Sequence, residues 1–159
     1  MAAMPLETIR TRHLVLAPLD ERLIATLAAG DFSEVACGAG WPHEDTPAGL
    51  ALAVEHGGWL VTLEGSVIGD CGLLGKTQDG EVEIGYGLAA PSRGKGFGLE
   101  MIEGLSRWLL DQHGIARVVA FTNVGNWASR RALAAAGFAL DHADGQRARY
   151  VMTAGATGR

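Results

Sequence analysis

Cys37 and Cys71 are the only two cysteines among 159 residues, and they form neither a C-x-x-C pair nor a neighbour to histidine at ligand spacing. A disulfide framework is thereby excluded, and both read as reduced, buried cytosolic thiols. Charge is scarce too. Asp, Glu, Lys and Arg make up 19% of the chain, and 18 acids against 13 bases leave a net charge of −5. Nucleic-acid binding draws on many Lys and Arg contacts to phosphate, so no nucleic acid is expected as a partner. No run approaches the ~20 apolar residues of a membrane-spanning helix, and no apolar stretch follows a basic start. No membrane is expected, and cytoplasmic residence follows by default. His13, His43, His56, His113 and His142 are scattered without metal-ligand spacing; they read as surface or capping residues, and no metal is expected.

What remains is a globular composition. Hydrophobic residues supply 48% of the chain, enough at this length to bury a core without staples. The 23 glycines follow no Gly-X-Y period, which removes collagen. No repeat, low-complexity tract or linker interrupts the chain, so one domain is expected over 6–153, with flexible ends at 1–5 and 154–159.

Periodicity and punctuation lay out the elements. Residues 13–19 have a strand's apolar density, and Asp20 can cap a helix that buries Leu23, Ile24 and Leu27. Thr46-Pro47 marks a second helix, threonine as N-cap and proline at the first helical position. Leu50, Ala53 and Val54 form its buried stripe, and His56-Gly57-Gly58 ends it. Three antiparallel strands follow at 59–63, 67–74 and 81–88, turning at Glu64-Gly65-Ser66 and at 76–80. Pro91-Ser92-Arg93-Gly94 opens the third helix, whose Phe97, Met101, Ile102, Leu105 and Leu109 recur at helical spacing before Gly114 stops it. The strand at 117–122 is reached through that helix and is therefore parallel to 81–88. A fourth helix over 127–136 turns Leu133 inward and ends at Gly137. A last hairpin of 138–141 with 147–152 turns at Ala143-Asp144-Gly145. The order βααβββαβαββ predicts an α/β fold: one mixed, mostly antiparallel central sheet with helices on both faces. Trp108 reads as helix packing, Trp41 and Trp127 as candidates for a substrate mouth.

Three segments carry chemistry. The first, Arg93-Gly94-Lys95-Gly96-Phe97-Gly98, joins a strand to a helix. Its glycines clear side chains from a place where backbone N–H groups converge at the positive end of a helix. Arg93 and Lys95 add two cations, which suits a diphosphate. A tight turn with solvated basic residues has the same letters. In the preceding strand, Gly85 and Gly87 alternate with Ile84, Tyr86 and Leu88 and so face one side, with Glu81 and Glu83 on that side as well. Strand glycines mark a bulge or a close ligand, and a thin arm fits against a bare face. In the third segment, Asn126-Trp127-Ala128-Ser129, Asn126 is placed to cap the next helix and Ser129 to complete the cap; capping alone is the plain alternative to a ligand role for each. If the parallel strands splay, all three segments line the crevice where open α/β sheets bind ligands.

The run Glu83-Ile84-Gly85-Tyr86-Gly87-Leu88, followed by the 93–98 loop, resembles the acetyl-CoA-binding motif of the GNAT superfamily of N-acetyltransferases. Asn126-x-x-Ser129 with Gly137-Phe138 resembles the superfamily's next motif. The opening Ile9-Arg10-Thr11-Arg12-His13-Leu14-Val15-Leu16 and the stretch Val67-Ile68-Gly69-Asp70-Cys71-Gly72 are similar to the branch of ribosomal-protein N-terminal (RimJ/RimL-like) acetyltransferases. The resemblance implies the GNAT acyl-CoA N-acyltransferase fold and acetyl-CoA as cosubstrate. By it, the pyrophosphate lies on N–H groups of Arg93, Gly94, Lys95, Gly96, Phe97 and Gly98. The pantetheine arm pairs with the backbone of Tyr86, Gly87 and Leu88, and Asn126 holds it. A homodimer is also admitted. Many members carry a tyrosine acid where this chain has Leu133; Ser129 is the substitute that the narrower branch suggests.

An amine acceptor is an ammonium with a pKa of about 8 to 10.4 and has no lone pair until a base removes its proton. Glu83 can do so if burial raises its pKa; Glu81 is the second candidate, and a solvated ladder residue is the plain alternative for Glu83. A backbone N–H of the splayed strand is placed to stabilise the acetyl oxygen. The function so predicted is N-acetyl transfer from acetyl-CoA to a primary amine, a protein N-terminus or a small amine, by direct attack. The alternative is a module of the same fold that binds acyl-CoA without turnover. Residues 31–59 are expected to wall the acceptor pocket, with Glu44 and Asp45 placed to attract a cation. Two further motifs are weak. Gly75-Lys76-Thr77 has Asp70 where a P-loop needs its first glycine. Ala90-Pro91-Ser92-Arg93-Gly94 resembles a nucleophile elbow in a chain short for that hydrolase fold.

Overall fold

Alternating burial along Glu81–Leu88, with Val82, Ile84 and Leu88 inside, marks a strand with one face on a core. In the computed structural model, which describes residues 4–156, that strand lies centrally in one sheet. The chain runs β1 (Ile9–Arg10), β2 (Leu14–Pro18), α1 (Glu21–Ala28), α2 (Thr46–His56), β3 (Gly58–Leu63), β4 (Ser66–Leu73), β5 (Glu81–Leu88), α3 (Phe97–Leu110), β6 (Arg117–Asn123), α4 (Trp127–Ala136), β7 (Ala139–Ala143) and β8 (Arg147–Thr153). Among the described residues the eight strands are ordered β1-β2-β3-β4-β5-β6-β8-β7. Only β5 and β6 pair in parallel; the other neighbours are antiparallel. This is the mixed, mostly antiparallel sheet predicted, with β1 added; two residues are too few to show a period.

Each face of the sheet has its own core. On one, Met101, Ile102, Leu105 and Leu109 of α3 and Leu133 of α4 pack on Leu16, Trp59, Val82 and Ile84. On the other, Ile24, Leu27, Leu50 and Ala53 of α1 and α2 pack on Leu60 and Val67. Each fully buried Leu, Ile, Val or Met among them contributes about 1.5–3 kcal/mol. Trp108 packs edge-on against Trp59, ring centroids 5.4 Å apart, the packing role expected of it. Asp20 caps α1 by accepting from Leu23 N–H at 2.7 Å. The β3–β4 turn takes positive φ at Glu64 and Gly65 (51° and 85°), as a two-residue hairpin requires.

Several boundaries differ from the sequence expectation. Asp45, not Thr46, is the N-cap of α2, because the Thr46 hydroxyl is drawn to Asp70 Oδ2 at 2.8 Å. Val54 is 62% exposed: at 100° per residue the buried arc of α2 runs through Ala53, Thr46 and Leu50, and position 54 falls outside it. Helix α3 begins at Phe97 rather than Pro91. Ala90–Ser92 forms a separate 3₁₀ turn, and positive φ at Gly94 and Gly96 (76° and 87°) cannot belong to a right-handed helix. The last hairpin turns at 144–146, where Asp144 Oδ1 accepts from the N–H groups of Gln146 and Arg147. Cys71 is buried as expected, but Cys37 is exposed. The loose ends expected at 1–5 and 154–159 fall partly outside the described residues; Ala154–Ala156 form a short 3₁₀ turn. Among the described residues no helix is long and apolar enough to cross a membrane.

Candidate active site

Strands β5 and β6 pair at Glu81↔Arg117, Val82↔Val118 and Glu83↔Val119, and there the pairing stops. Beyond it, β5 stays paired with β4 as far as Leu88↔Gly69, and β6 with β8 as far as Asn123↔Arg147. Each strand keeps its outer partner and loses its inner one, so a gap opens between them. The Leu74 N–H donates to the Glu83 carbonyl at 2.9 Å. Antiparallel alternation then turns the polar groups of Gly85 and Gly87 toward β4, and those of Tyr86 and Leu88, past the last β5–β6 pair, into the gap.

The glycine loop stands at the C-terminal end of β5. A Cβ at Gly94 or Gly96 would meet nothing within 4 Å, so both positions need glycine for their left-handed backbone and leave open space above it. Gly96 is the N-cap of α3 and offers no side-chain acceptor, so the first-turn N–H groups are left for an anion. The loop therefore fits a diphosphate. Arg93 departs from the expectation of two free cations, because its Nε donates to the Leu88 carbonyl at 3.0 Å. That bond ties the loop to β5 and takes Leu88 O out of the gap's open ladder. Lys95 is exposed.

Across the gap, Asn126 Oδ1 accepts from Ser129 N–H at 3.1 Å, so that oxygen serves the cap of α4. Ser129 Oγ meets the Tyr86 hydroxyl at 3.0 Å, a bridge from β5 to α4. Burial pushes the Tyr86 phenol pKa up, and the bond to Ser129 offsets part of this. Sequence reasoning assigned only the Tyr86 backbone; the alternation that set the glycines on one face had already put this hydroxyl on the other. Leu133 is fully buried in the core. Ser92 lies in its 3₁₀ turn, and no histidine hydrogen-bonds it among the described residues, so the hydrolase reading gains no support.

Glu81, Glu83, Gly85 and Gly87 do share the α2-side face, as the burial alternation shows. The face is not bare. A Cβ at Gly85 would come within 2.7 Å of Leu74 Cδ2, and one at Gly87 within 2.9 Å of His43 Cε1. These glycines make room for the protein's own side chains, not for a ligand arm. His43, expected at the surface, is 7% exposed. Glu81 accepts from Arg149 at 2.8 Å and Arg117 at 3.3 Å; the Arg149 bond, aided by Arg117, holds its carboxyl below the usual range against the effect of burial. Glu83 has no side-chain hydrogen bond among the described residues. Burial raises its pKa, with Arg147 and Arg149 opposing.

Glu83 lines a polar hollow of about 400 Å³ together with Lys76, Asp79, Glu81 and Arg117. Beyond Leu74 lies a second hollow of about 310 Å³, lined by His43, Asp45, Gly49, Asp70, Leu74 and Gly85 among others. Of the two acids expected to attract a cation, Asp45 lines this hollow and Glu44 does not. Trp41 does not form a mouth: it is 4% exposed and donates from Nε1 to Asp70 Oδ2 at 2.9 Å. Trp127 is exposed, with the Arg130 guanidinium 4.2 Å from its ring centroid.

The family model of the acetyltransferase (GNAT) domain matches residues 13–139. YjdG, an uncharacterized N-acetyltransferase of Bacillus subtilis (strain 168), is 27% identical over 115 residues, 64% of this chain and 68% of that protein. Among solved structures, RimL, the ribosomal L7/L12 alpha-N-protein acetyltransferase in complex with coenzyme A, is similar with TM-score 0.68 at 18% identity, covering 92% of this chain and 98% of that one. AAC(6')-Ib in complex with ribostamycin and coenzyme A is similar with TM-score 0.64 at 21% identity, covering 91% and 95%. At these identities the two structures speak for the fold alone, whereas the family match spans most of the sequence. The splayed strands, the glycine loop and that match agree, and the chain belongs to the GNAT acetyltransferase family.

Proposed function

We propose that this protein transfers the acetyl group of acetyl-CoA to a primary amine by direct attack in a ternary complex. The observation that carries the reading is the open inner edge of β5, which ends at a glycine-built, uncapped helix N-terminus. An extended arm finds strand partners along that edge, and a diphosphate finds N–H groups at its end.

Acetyl-CoA supplies the activated thioester. The N–H groups of Gly94, Lys95, Gly96, Phe97 and Gly98, with the Lys95 ammonium, hold the diphosphate. Arg93 contributes by fixing the loop and through what remains of its guanidinium. Tyr86 offers N–H and C=O to the pantetheine arm and Leu88 its N–H, while the Asn126 amide NH₂ steadies the arm from α4. The Tyr86 N–H, on the splayed part of β5, stabilises negative charge developing on the acetyl oxygen. Glu83 takes the ammonium proton, directly or through a water in its hollow, and burial brings its pKa closer to the working pH. As the C–N bond forms the nitrogen sheds its second proton, and as the C–S bond breaks Ser129, joined to the Tyr86 hydroxyl, gives a proton to the leaving sulfur and is restored by the one the nitrogen shed. RimL and AAC(6')-Ib share this fold, so the fold leaves the acceptor open between a protein N-terminus and a small amine.

The test is acetyl-CoA with a panel of primary amines, read by thiol release and by mass spectrometry of the product. Amine-dependent release with an acetylated product is expected. Tight acetyl-CoA binding without release for any amine would favour the alternative, a silent acyl-CoA-binding module.

A further inference from the structure

The hollow between α2 and the β4–β5 pair holds a carboxylate that the reaction above does not use. Asp70 stands opposite Gly87 in register. Its Oδ2 accepts from Trp41 Nε1 at 2.9 Å and from Thr46 Oγ1 at 2.8 Å, and His43 Nε2 lies 3.2 Å from the same oxygen. Oδ1 takes no hydrogen bond from any described residue. The side chain is therefore held through one oxygen while the other is offered to the cavity that Asp70 lines. A group fixed in this way has little rotamer freedom left to lose on binding.

Two further observations bear on what enters. His43 Nδ1 accepts from Asp45 N–H at 3.2 Å, which leaves the ring proton on Nε2. That atom is buried and lies beside Asp70 Oδ2 without hydrogen-bond geometry; as a donor it offers an ammonium nothing, so the only groups here that attract a cation are the carboxylates of Asp70 and Asp45. The lining residues include Asp45 but no lysine or arginine, and the walls are largely aliphatic, with Leu50, Leu52 and Leu74. Negative charge with aliphatic walls suits a cation on a hydrocarbon body.

We propose that Asp70 determines acceptor specificity by anchoring, through Oδ1, a second cationic group of the amine substrate. The aliphatic body of the substrate lies against Leu52 and Leu74, so the preferred acceptors are short diamines rather than monoamines. This rests on the acetyl-transfer reading for the place of the reacting nitrogen, near Gly85 where β5 has just left β6. Gly85 and Gly87, the register partner of Asp70, are two strand residues apart, about 7 Å, which an extended four-carbon diamine spans once the hydrogen bond from its far ammonium to the carboxylate is added.

The probes are butane-1,4-diamine and n-butylamine, a pair differing by one ammonium. Their binding is measured by calorimetry without acetyl-CoA, and their acetylation separately by mass spectrometry. The wild-type protein is compared with Asp70→Asn and Gly49→Ala. Asparagine keeps an oxygen for Trp41 and Thr46 but turns an NH₂ toward the hollow. The alanine methyl sits 3.4 Å from Asp70 Oδ1, crowding it while leaving its bonds intact, and favours the helix. The diamine is expected to bind the wild-type protein at least about tenfold more tightly than butylamine. Asp70→Asn is expected to erase the difference and Gly49→Ala to narrow it. Equal wild-type affinities, no diamine binding, or a preference that survives in folded Asp70→Asn overturns the proposal. Loss of the preference without acetylation of either amine would sink the acetyl-transfer reading and spare the anchor. Acetylation without preference would do the reverse.

Discussion

The two sides of β5 offer a ligand different kinds of surface. On the α3–α4 side the candidate cofactor groove is made of backbone: N–H groups of Tyr86 and Leu88, two left-handed glycines and a helix end without a side-chain cap. On the α2 side the hollows are made of side chains, with Asp70 held by Trp41 and Thr46 and Glu83 set in partly buried surroundings. Backbone recognition is unforgiving of an added Cβ or charge but indifferent to most side-chain changes. Side-chain recognition can be retuned one residue at a time. A common cofactor and a variable acceptor call for this division.

Substitutions test the contrast, the largest expected effect first. Gly96→Asp places a carboxylate and a strained φ of 87° at the diphosphate site. It is expected to weaken coenzyme A binding about a thousandfold, about 4 kcal/mol, with amine binding unchanged by calorimetry; unaltered coenzyme A affinity would break the backbone half of the comparison. Glu83→Gln is expected to lower kcat about a hundredfold and leave coenzyme A affinity intact. A base must be deprotonated, so wild-type kcat should fall as pH drops through the raised Glu83 pKa, and that acidic limb should vanish in the variant. Glu81→Gln, already tied to Arg149 and Arg117, should change kcat little; a loss there with none at Glu83 would reassign the base. Tyr86→Phe removes the hydroxyl bridge to Ser129 and is expected to cost about tenfold in kcat/KM, the loss of one hydrogen bond at the reacting centre. Asn126→Ala removes the cap of α4 and is expected to lower stability by about 1 kcal/mol in urea denaturation.

The same contrast explains what the sequence made legible. The candidate cofactor side is local: Glu83 through Gly98 are contiguous, and glycine positions dictate their own backbone, so the loop and its strand were legible in the letters, while the splay of β5 from β6 needed the fold. The acceptor side is assembled at long range. The β4–β5 register brings Asp70 to Gly87, and the segment before α2 lays His43 over that glycine. No spacing along the chain announces such a meeting, and a scattered histidine looks the same in sequence whether it is solvated or buried. The element boundaries missed have similar causes. Thr46 was drawn from the N-cap position by a carboxylate on another strand, and α3 started late because two glycines left of it adopt positive φ. The period-two pattern sets the Tyr86 side chain on the face opposite the glycines, but its meeting with Ser129 is made only by the fold.

The most direct test is a crystal structure of the protein with coenzyme A. The diphosphate oxygens are expected within hydrogen-bonding distance of the 94–98 N–H groups, with the pantetheine arm extended beside Tyr86 between β5 and α4. A diphosphate bound away from this loop, or a gap closed by β5–β6 pairing beyond Glu83, would contradict the backbone-built groove and the catalytic reading that depends on it.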